Sequence, residues 1–167
     1  LQLEFPRGPL AAALGGLAIA QRETGLCYRE GRGVPADPVA AAAWLSRAAA
    51  AGDPAAALSL AEMLLAGEGG QAPDIKSAVA ILTRTAELGL PAAQVRLAEV
   101  LAAGTAGPPD LVRAYALTLA AGKEFEPAGR LQEELAPKMS KAQLAAAKTE
   151  FERLTAKPAK SDPNPDD

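Results

Sequence analysis

The sequence predicts an all-α fold: a solenoid of about three helix-pair repeats, with a partial unit before them and a capping helix after them. Three observations predict it. Segments of the 167-residue chain superimpose at a near-constant period, and the apolar residues within them follow helical spacing. The composition is 49% hydrophobic but only 4% aromatic. Alanine supplies much of the apolar content; it favours helices and lets them approach closely. Thin, closely packed helices suit such a chain better than one deep core. A fixed period of roughly 20–50 residues is the mark of stacked units.

The repeat is carried by three residue classes in one register. Segments starting at Ala20, Ala56 and Ala93 superimpose. Gly31, Gly67 and Gly104 recur at intervals of 36 and 37, as do Gly16, Gly52 and Gly89, while Asp37, Asp74 and Asp110 recur at 37 and 36. The array covers residues 9–155, with units of about 18–52, 53–89 and 90–126, capping helices over 127–155 and a tail from 156 to 167.

Each unit reads as two helices. Helix A covers about 18–30, 54–66 and 91–103 and stops at the glycine of each copy, a residue that accepts positive φ after a helix. A loop of Gly and Pro follows. Asp37, Asp74 or Asp110 then stands where helix B begins and can accept a hydrogen bond from an orphan backbone N–H. Pro38 strengthens the first B-helix start, and the Asp53-Pro54 pair strengthens the start of the second A helix. Helix A presents Leu60, Met63, Leu64 and then Leu97, Val100, Leu101 at the spacing of a buried face. Helix B repeats small Ala41, Ala78 and Ala114, large Trp44, Ile81 and Leu117, and small Ala49 and Ala86.

The ends follow from the same register. Gly16 matches Gly52, so Pro9 to Gly15 is expected to be the end of a B helix from an incomplete earlier unit. The segment Leu10 to Ala20 has some features of a targeting signal, but Pro9 and Gly15-Gly16 interrupt it and the repeat needs its residues. No stretch reaches the roughly 20 apolar residues of a membrane-spanning helix. The third B helix is expected to be short, because Gly122 arrives three residues early. A degenerate helix over about 127–136 follows. The last helix starts at Ser140, with Gln143 closing a capping box and Met139 and Leu144 as the hydrophobic staple. Its apolar side carries Leu144, Ala147, Phe151 and Leu154 and is expected to cover the open end of the stack. The tail from Ala156 has little to bury and is expected to be disordered.

The run from Ala20 to Ala57 resembles the Sel-one-like repeat family, relatives of the tetratricopeptide repeat. Ala20, Gly25, Tyr28, Gly31, Gly33, Val34, Asp37, Trp44, Ala48, Ala49 and Gly52 fill that family's pattern, with Thr24 where Leu is usual. In the later units Leu64 and Leu101 replace the tyrosine, and Ile81 and Leu117 the tryptophan. The closing run from Leu135 to Leu154 is similar to the last helix of many bacterial members. The resemblance implies a right-handed superhelix of antiparallel helix pairs, a scaffold or adaptor role, and an envelope or signalling context, with the periplasm or envelope favoured over the cytoplasm. Disulfide-linked members carry paired cysteines in each unit; this chain has one cysteine.

Catalytic chemistry finds little to work with. The chain has no histidine, which removes Ser-His and Cys-His nucleophiles and the commonest zinc ligand. The aspartates recur at the stacking period, as caps do and catalytic pairs do not. The glycines of GRG and GEGG follow helices rather than strands, with no Lys-Ser/Thr after them. Cys27 aligns with Met63 and Val100 and reads as a buried small hydrophobe; Tyr28 and Trp44 read as core. No catalytic residue, metal site or cofactor is expected. The net charge of −3 and scattered basic residues argue against nucleic acid.

A protein or peptide partner remains. By analogy with tetratricopeptide stacks, the outward positions of the A helices line the concave face: Arg22, Glu23, Leu26, Arg29 and Glu30 in the first unit, Leu58, Ser59, Glu62, Leu65 and Ala66 in the second, and Val95, Arg96, Glu99, Ala102 and Ala103 in the third. This mixed surface suits an apolar segment, helical or extended, with charges at both ends. The alternative is a structural spacer or cap of a larger envelope protein, without a ligand of its own.

Overall fold

A computed structural model of the chain describes the backbone of residues 9–156 and the side chains of residues 16–156. Among the described residues eight α-helices run in order: α1 (Pro9–Glu30), α2 (Pro38–Ala50), α3 (Pro54–Ala66), α4 (Ile75–Glu87), α5 (Pro91–Ala103), α6 (Leu111–Ala121), α7 (Glu126–Leu135) and α8 (Lys141–Thr155), with a 3-10 turn at Ala136–Lys138. No strand occurs among the described residues. Each of α1 to α6 packs on the helix that follows it, α7 packs on α5 and α6, and α8 lies against α6. The fold is an all-α helical-repeat superhelix, with α1, α3 and α5 as A helices and α2, α4 and α6 as B helices.

The bends are built from the residues that repeat. Gly67 and Gly104 end α3 and α5 in the left-handed region, at φ 65° and 68°. A Cβ on Gly67 would lie 2.5 Å from the Gln71 carbonyl oxygen, so both conformation and space demand glycine there. The carboxylates of Asp37, Asp74 and Asp110 accept backbone N–H groups in the first turn of α2, α4 and α6. Their own N–H groups donate back to Tyr28, Leu64 and Leu101 at 2.9, 2.9 and 3.0 Å. One residue class thus starts each B helix and folds it onto its A helix. The Ser140–Gln143 capping box forms as expected, and Met139 and Leu144 join the same apolar cluster. The short third B helix is observed, with 11 residues in α6 against 13 in α2 and α4.

Four expectations need correction. The chain does not turn at Gly16, because α1 runs unbroken from Pro9 to Glu30. Gly52 and Gly89 bend at φ 92° and 81° and are followed within two residues by Pro54 and Pro91, which push the preceding residue out of the helical region. Leu17-Ala18 follows Gly16, and nothing there stops the helix. Second, the deeply buried large residues of the B helices are Leu45 and Leu82, one position beyond Trp44 and Ile81. Stepping four residues from Ala41 and Ala78 keeps the line of the buried face better than stepping three. Trp44 is half-buried, with the Arg47 guanidinium 5.0 Å from its ring centroid. Third, Cys27 is half-buried. Met63 and Val100 share clusters with α2 and α4, the B helices of the preceding units, whereas no helix precedes α1 among the described residues. Fourth, Val95, expected on the surface, is 5% exposed and packs with Ala121 and Ala128. The tail expected to be disordered lies, beyond Ala156, outside the described residues.

Candidate protein-binding surface

The expected contact residues stand on α1, α3 and α5, and the fold engages them unequally. Arg22, near the middle of α1, donates from one terminal nitrogen to both carboxylate oxygens of Asp53, at 2.8 and 3.1 Å. Asp53 is 7% exposed and simultaneously caps α3 through the N–H groups of Ala55 and Ala56. Burial works against the Arg22 charge, but the hydrogen bonds and field of Asp53, with those of Glu23, outweigh it and raise its pKa. Arg29, two turns on, reaches Glu68 at 2.6 Å and Glu62 at 3.4 Å. The Glu68 hydrogen bonds are the main cause of its raised pKa, against desolvation. Both arginines therefore tie α1 to α3 and its following loop. They are positioned by the fold, not held free for a partner.

The other expected residues divide by burial. Glu23, Glu30 and Glu99 are exposed; Ser59, Glu62 and Arg96 are half-buried. Arg96 pairs along its own helix with Glu99 at 2.8 Å, and Arg32 pairs with Glu30 at 2.5 Å. Leu26 is half-buried against the α1–α3 cluster, and Leu58 and Leu65 against the larger one. Ala66 and Ala103 are exposed, and Ala102 half-buried. In the ion pairs of α1, α3, α5 and their flanking loops, four guanidiniums (Arg22, Arg29, Arg32, Arg96) stand against six carboxylates (Glu23, Glu30, Glu62, Glu68, Glu99 and the buried Asp53). Carboxylates outnumber guanidiniums in this set, and Leu26, Leu58 and Leu65 on the same helices are half-buried. Among the described residues no three His, Cys, Asp or Glu side chains converge as metal ligands would, and no helix is long and apolar enough to cross a membrane.

Sequence reasoning missed a second feature. Gln94 is buried, and together with Arg113 it lines a cleft of about 310 Å³ beside α6 and the end of α8. The signal was a break in the repeat: Arg113 stands where the earlier B helices carry Ala40 and Ser77, and Gln94 where α3 carries Ala57.

Comparison with known proteins agrees with this architecture. The Sel1 repeat model matches three times, over residues 18–53, 54–90 and 91–124. A Sel1 repeat protein from Oxalobacter formigenes superimposes with a TM-score of 0.62 at 27% identity, over 74% of this chain and 95% of its own. A protective antigen present in uropathogenic Escherichia coli strains, displaying an SLR fold, matches with a TM-score of 0.56 at 22% identity. That alignment takes in 87% of this chain but 39% of the antigen, so the chain spans about two fifths of the antigen's length. No curated protein sequence matches.

Proposed function

The chain belongs to the Sel1 repeat family, and on that premise we propose that it is a non-catalytic scaffold holding a peptide or helix of a partner protein on its A-helix side. Sel1 repeat proteins are generally protein-interaction scaffolds. The observation that carries the finer reading is the pattern on α1, α3 and α5: half-buried leucines set among carboxylates that outnumber the arginines, with Arg22 and Arg29 already spent on internal pairs. A partner segment with apolar residues flanked by Lys or Arg complements that surface, and rim charges of this kind set the rate and specificity of encounter more than raw affinity. An envelope-associated location belongs to the same proposal and is read by fractionation of the source organism.

The test must spare the main internal ties, Arg22–Asp53 and Arg29–Glu68. Arg22 is a poor target, since its removal strands the buried Asp53. Glu62 and Glu99 are better: the pairs they make are partly exposed, and such pairs contribute about 0–1 kcal/mol. A partner captured by crosslinking from the source organism is expected to lose about tenfold or more in affinity for the Glu62→Lys, Glu99→Lys double variant, with helix content unchanged. Undiminished binding by that variant rejects the A-helix side as the contact. The spacer reading keeps one observation in its favour, the exposed Leu17 and Ile19 of α1 at 51% and 52%, which a neighbouring element would cover.

A further inference from the structure

The groove between successive B helices occurs twice, and the two copies differ where stacking does not require it. The first lies between α2 and α4 beside the start of α3, the second between α4 and α6 beside the start of α5. Gly52, Leu60 and Ile81 line the first where Gly89, Leu97 and Leu117 line the second. Ala50 and Ala57 of the first become Glu87 and Gln94 in the second. The guanidinium changes place: Arg84 lines the first groove where Ala120 lines the second, and Ser77, third residue of α4, becomes Arg113, third residue of α6. The end of α8 adds Leu154 and Thr155 as a further wall of the second copy.

The added polar groups are not satisfied by the fold. Gln94 is 8% exposed, and its Nε2 donates to the Ala86 carbonyl at 3.2 Å. That bond fixes the amide, since the flipped orientation would set two carbonyl-type oxygens against each other. Among the described residues the Gln94 Oε1 is left buried without a partner, and so is the Arg113 Nε. Arg113 makes no ion pair among the described residues; its field lowers the Glu150 pKa, after the larger effect of Arg153, without contact. Buried polar atoms are almost always paired, so two orphans on side chains that line one cleft call for an explanation.

We propose that this cleft takes the C-terminal residue of a peptide: its carboxylate on the Arg113 guanidinium, its main-chain N–H on Gln94 Oε1, and an apolar side chain among Leu97, Leu117 and Leu154. The chemistry selects this occupant. An aspartate or glutamate side chain brings the carboxylate without the apolar group, and a fatty acid brings both without an N–H donor. A chain end brings all three within one residue, and Arg is suited to carboxylate capture through its fork of donors. Glu87, exposed on the rim, disfavours an acidic residue just upstream. The site is separate from the A-helix surface and stands or falls without it.

The experiment is a nitrogen-edited NMR titration of the full chain with Gly-Ser-Gly-Leu as free acid, as C-terminal amide, and with octanoate. The free acid at millimolar concentration is expected to shift the Gln94 side-chain amide and Arg113 Nε–H signals. The amide and octanoate are expected to bind about tenfold more weakly or worse. Gln94→Ala and Arg113→Ser carry the residues of the sister groove, so the fold tolerates them there; each is expected to weaken the free acid about tenfold with unchanged circular dichroism. Equal binding of acid and amide, octanoate binding as tight as the peptide, an unaffected Arg113→Ser variant, or no shift of either signal at saturation overturns the proposal. The Glu62→Lys, Glu99→Lys variant is expected to bind the free acid normally, which separates this site from the scaffold reading.

Discussion

The junction between the first and second units adds ion pairs to its apolar packing, and the equivalent junction between the second and third is apolar where the first has its Arg22–Asp53 pair. In the repeat register Arg22 corresponds to Leu58 and its partner Asp53 to Leu90. The ion pair of the first junction is thus replaced by two leucines that pack on the larger cluster. Arg29 likewise corresponds to Leu65, with Glu62 matched by Glu99 and Glu68 by Thr105. The clusters follow suit: among the described residues 13 are buried in the one spanning α3 to α8 and five in the one spanning α1 to α3, so opening should begin at the first unit. One backbone geometry accepts either chemistry at the same contact. What stacking fixes is the bend and the helix spacing; the tie between neighbours is free to vary, as nearest-neighbour energetics in repeat arrays allows.

The largest expected effects test the clusters. Leu82→Ala and Leu45→Ala each remove a fully buried side chain, at a cost of about 2–5 kcal/mol. Leu82 sits in the larger cluster, so its loss is expected at the upper end of that range by urea denaturation, and Leu45 at the lower. Hydrogen exchange should show α1 and α2 opening before α4 to α6 in the unaltered chain. Slower exchange in α1 and α2 than in α5 and α6 would break the comparison.

The charged tie comes next. Arg22→Leu leaves a buried carboxylate without its cation, although Asp53 keeps two backbone N–H groups. A loss of about 1.5–3 kcal/mol follows, the range for hydrogen bonds to charged groups. The double variant Arg22→Leu, Asp53→Leu carries the residues of the second junction. It is expected to regain most of that loss, short of the N-cap contribution of about 1 kcal/mol, because apolar replacement of a buried pair is often neutral. A double variant less stable than the sum of the two single losses would show that the junctions are not interchangeable.

A smaller effect separates two reasons for a glycine. Gly25 is buried in mid-α1, where a Cβ would come within 2.8 Å of Leu45 Cγ and 3.2 Å of the Ala41 carbonyl oxygen. Its counterparts Ala61 and Ala98 are fully buried, so the second and third units have room for a methyl that the first lacks. Gly25→Ala gains up to about 1 kcal/mol of helix propensity and loses about 1–3 kcal/mol to overpacking, a net loss of roughly 1 kcal/mol by chemical denaturation. Combined with Leu45→Ala, the same substitution should become neutral or stabilising.

Much of this was legible in the sequence because the informative residues act locally. Gly67, Gly104 and the aspartate caps need only their own turn to work, and Ser140 with Gln143 closes its box within one turn. The ion pairs were not legible. Arg22 and Asp53 are 31 positions apart, and a charge on a helix reads as solvent-facing until its neighbour is placed. The same limit turned Arg22 and Arg29 from expected partner contacts into internal ties. Trp44 was misjudged because a large aromatic implies burial, while Leu45, one position on, holds the core. The cleft at Gln94 and Arg113 needed the end of α8, which lies outside the repeat.

The smallest expected effect concerns the cap that starts α4, in the unit shared by both junctions. The Asp74 carboxyl is held below its ordinary value of 3.8 by the hydrogen bonds from Ser77, with desolvation opposing and the field of Lys76 adding a smaller lowering. A carboxyl whose pKa is depressed on folding stabilises the fold above its unfolded pKa. That contribution is lost as pH falls through the folded value. Asp74→Asn keeps an acceptor for the first turn of α4 but removes the titration. The parent should therefore be slightly the more stable of the two near neutral pH, and the difference should vanish below the ordinary carboxyl range. Thermal denaturation of both proteins from neutral to strongly acidic pH reads this directly. A gap that stays constant across that range would place the role of Asp74 in geometry alone, leaving charge as a feature of the first junction and not of the cap beside it.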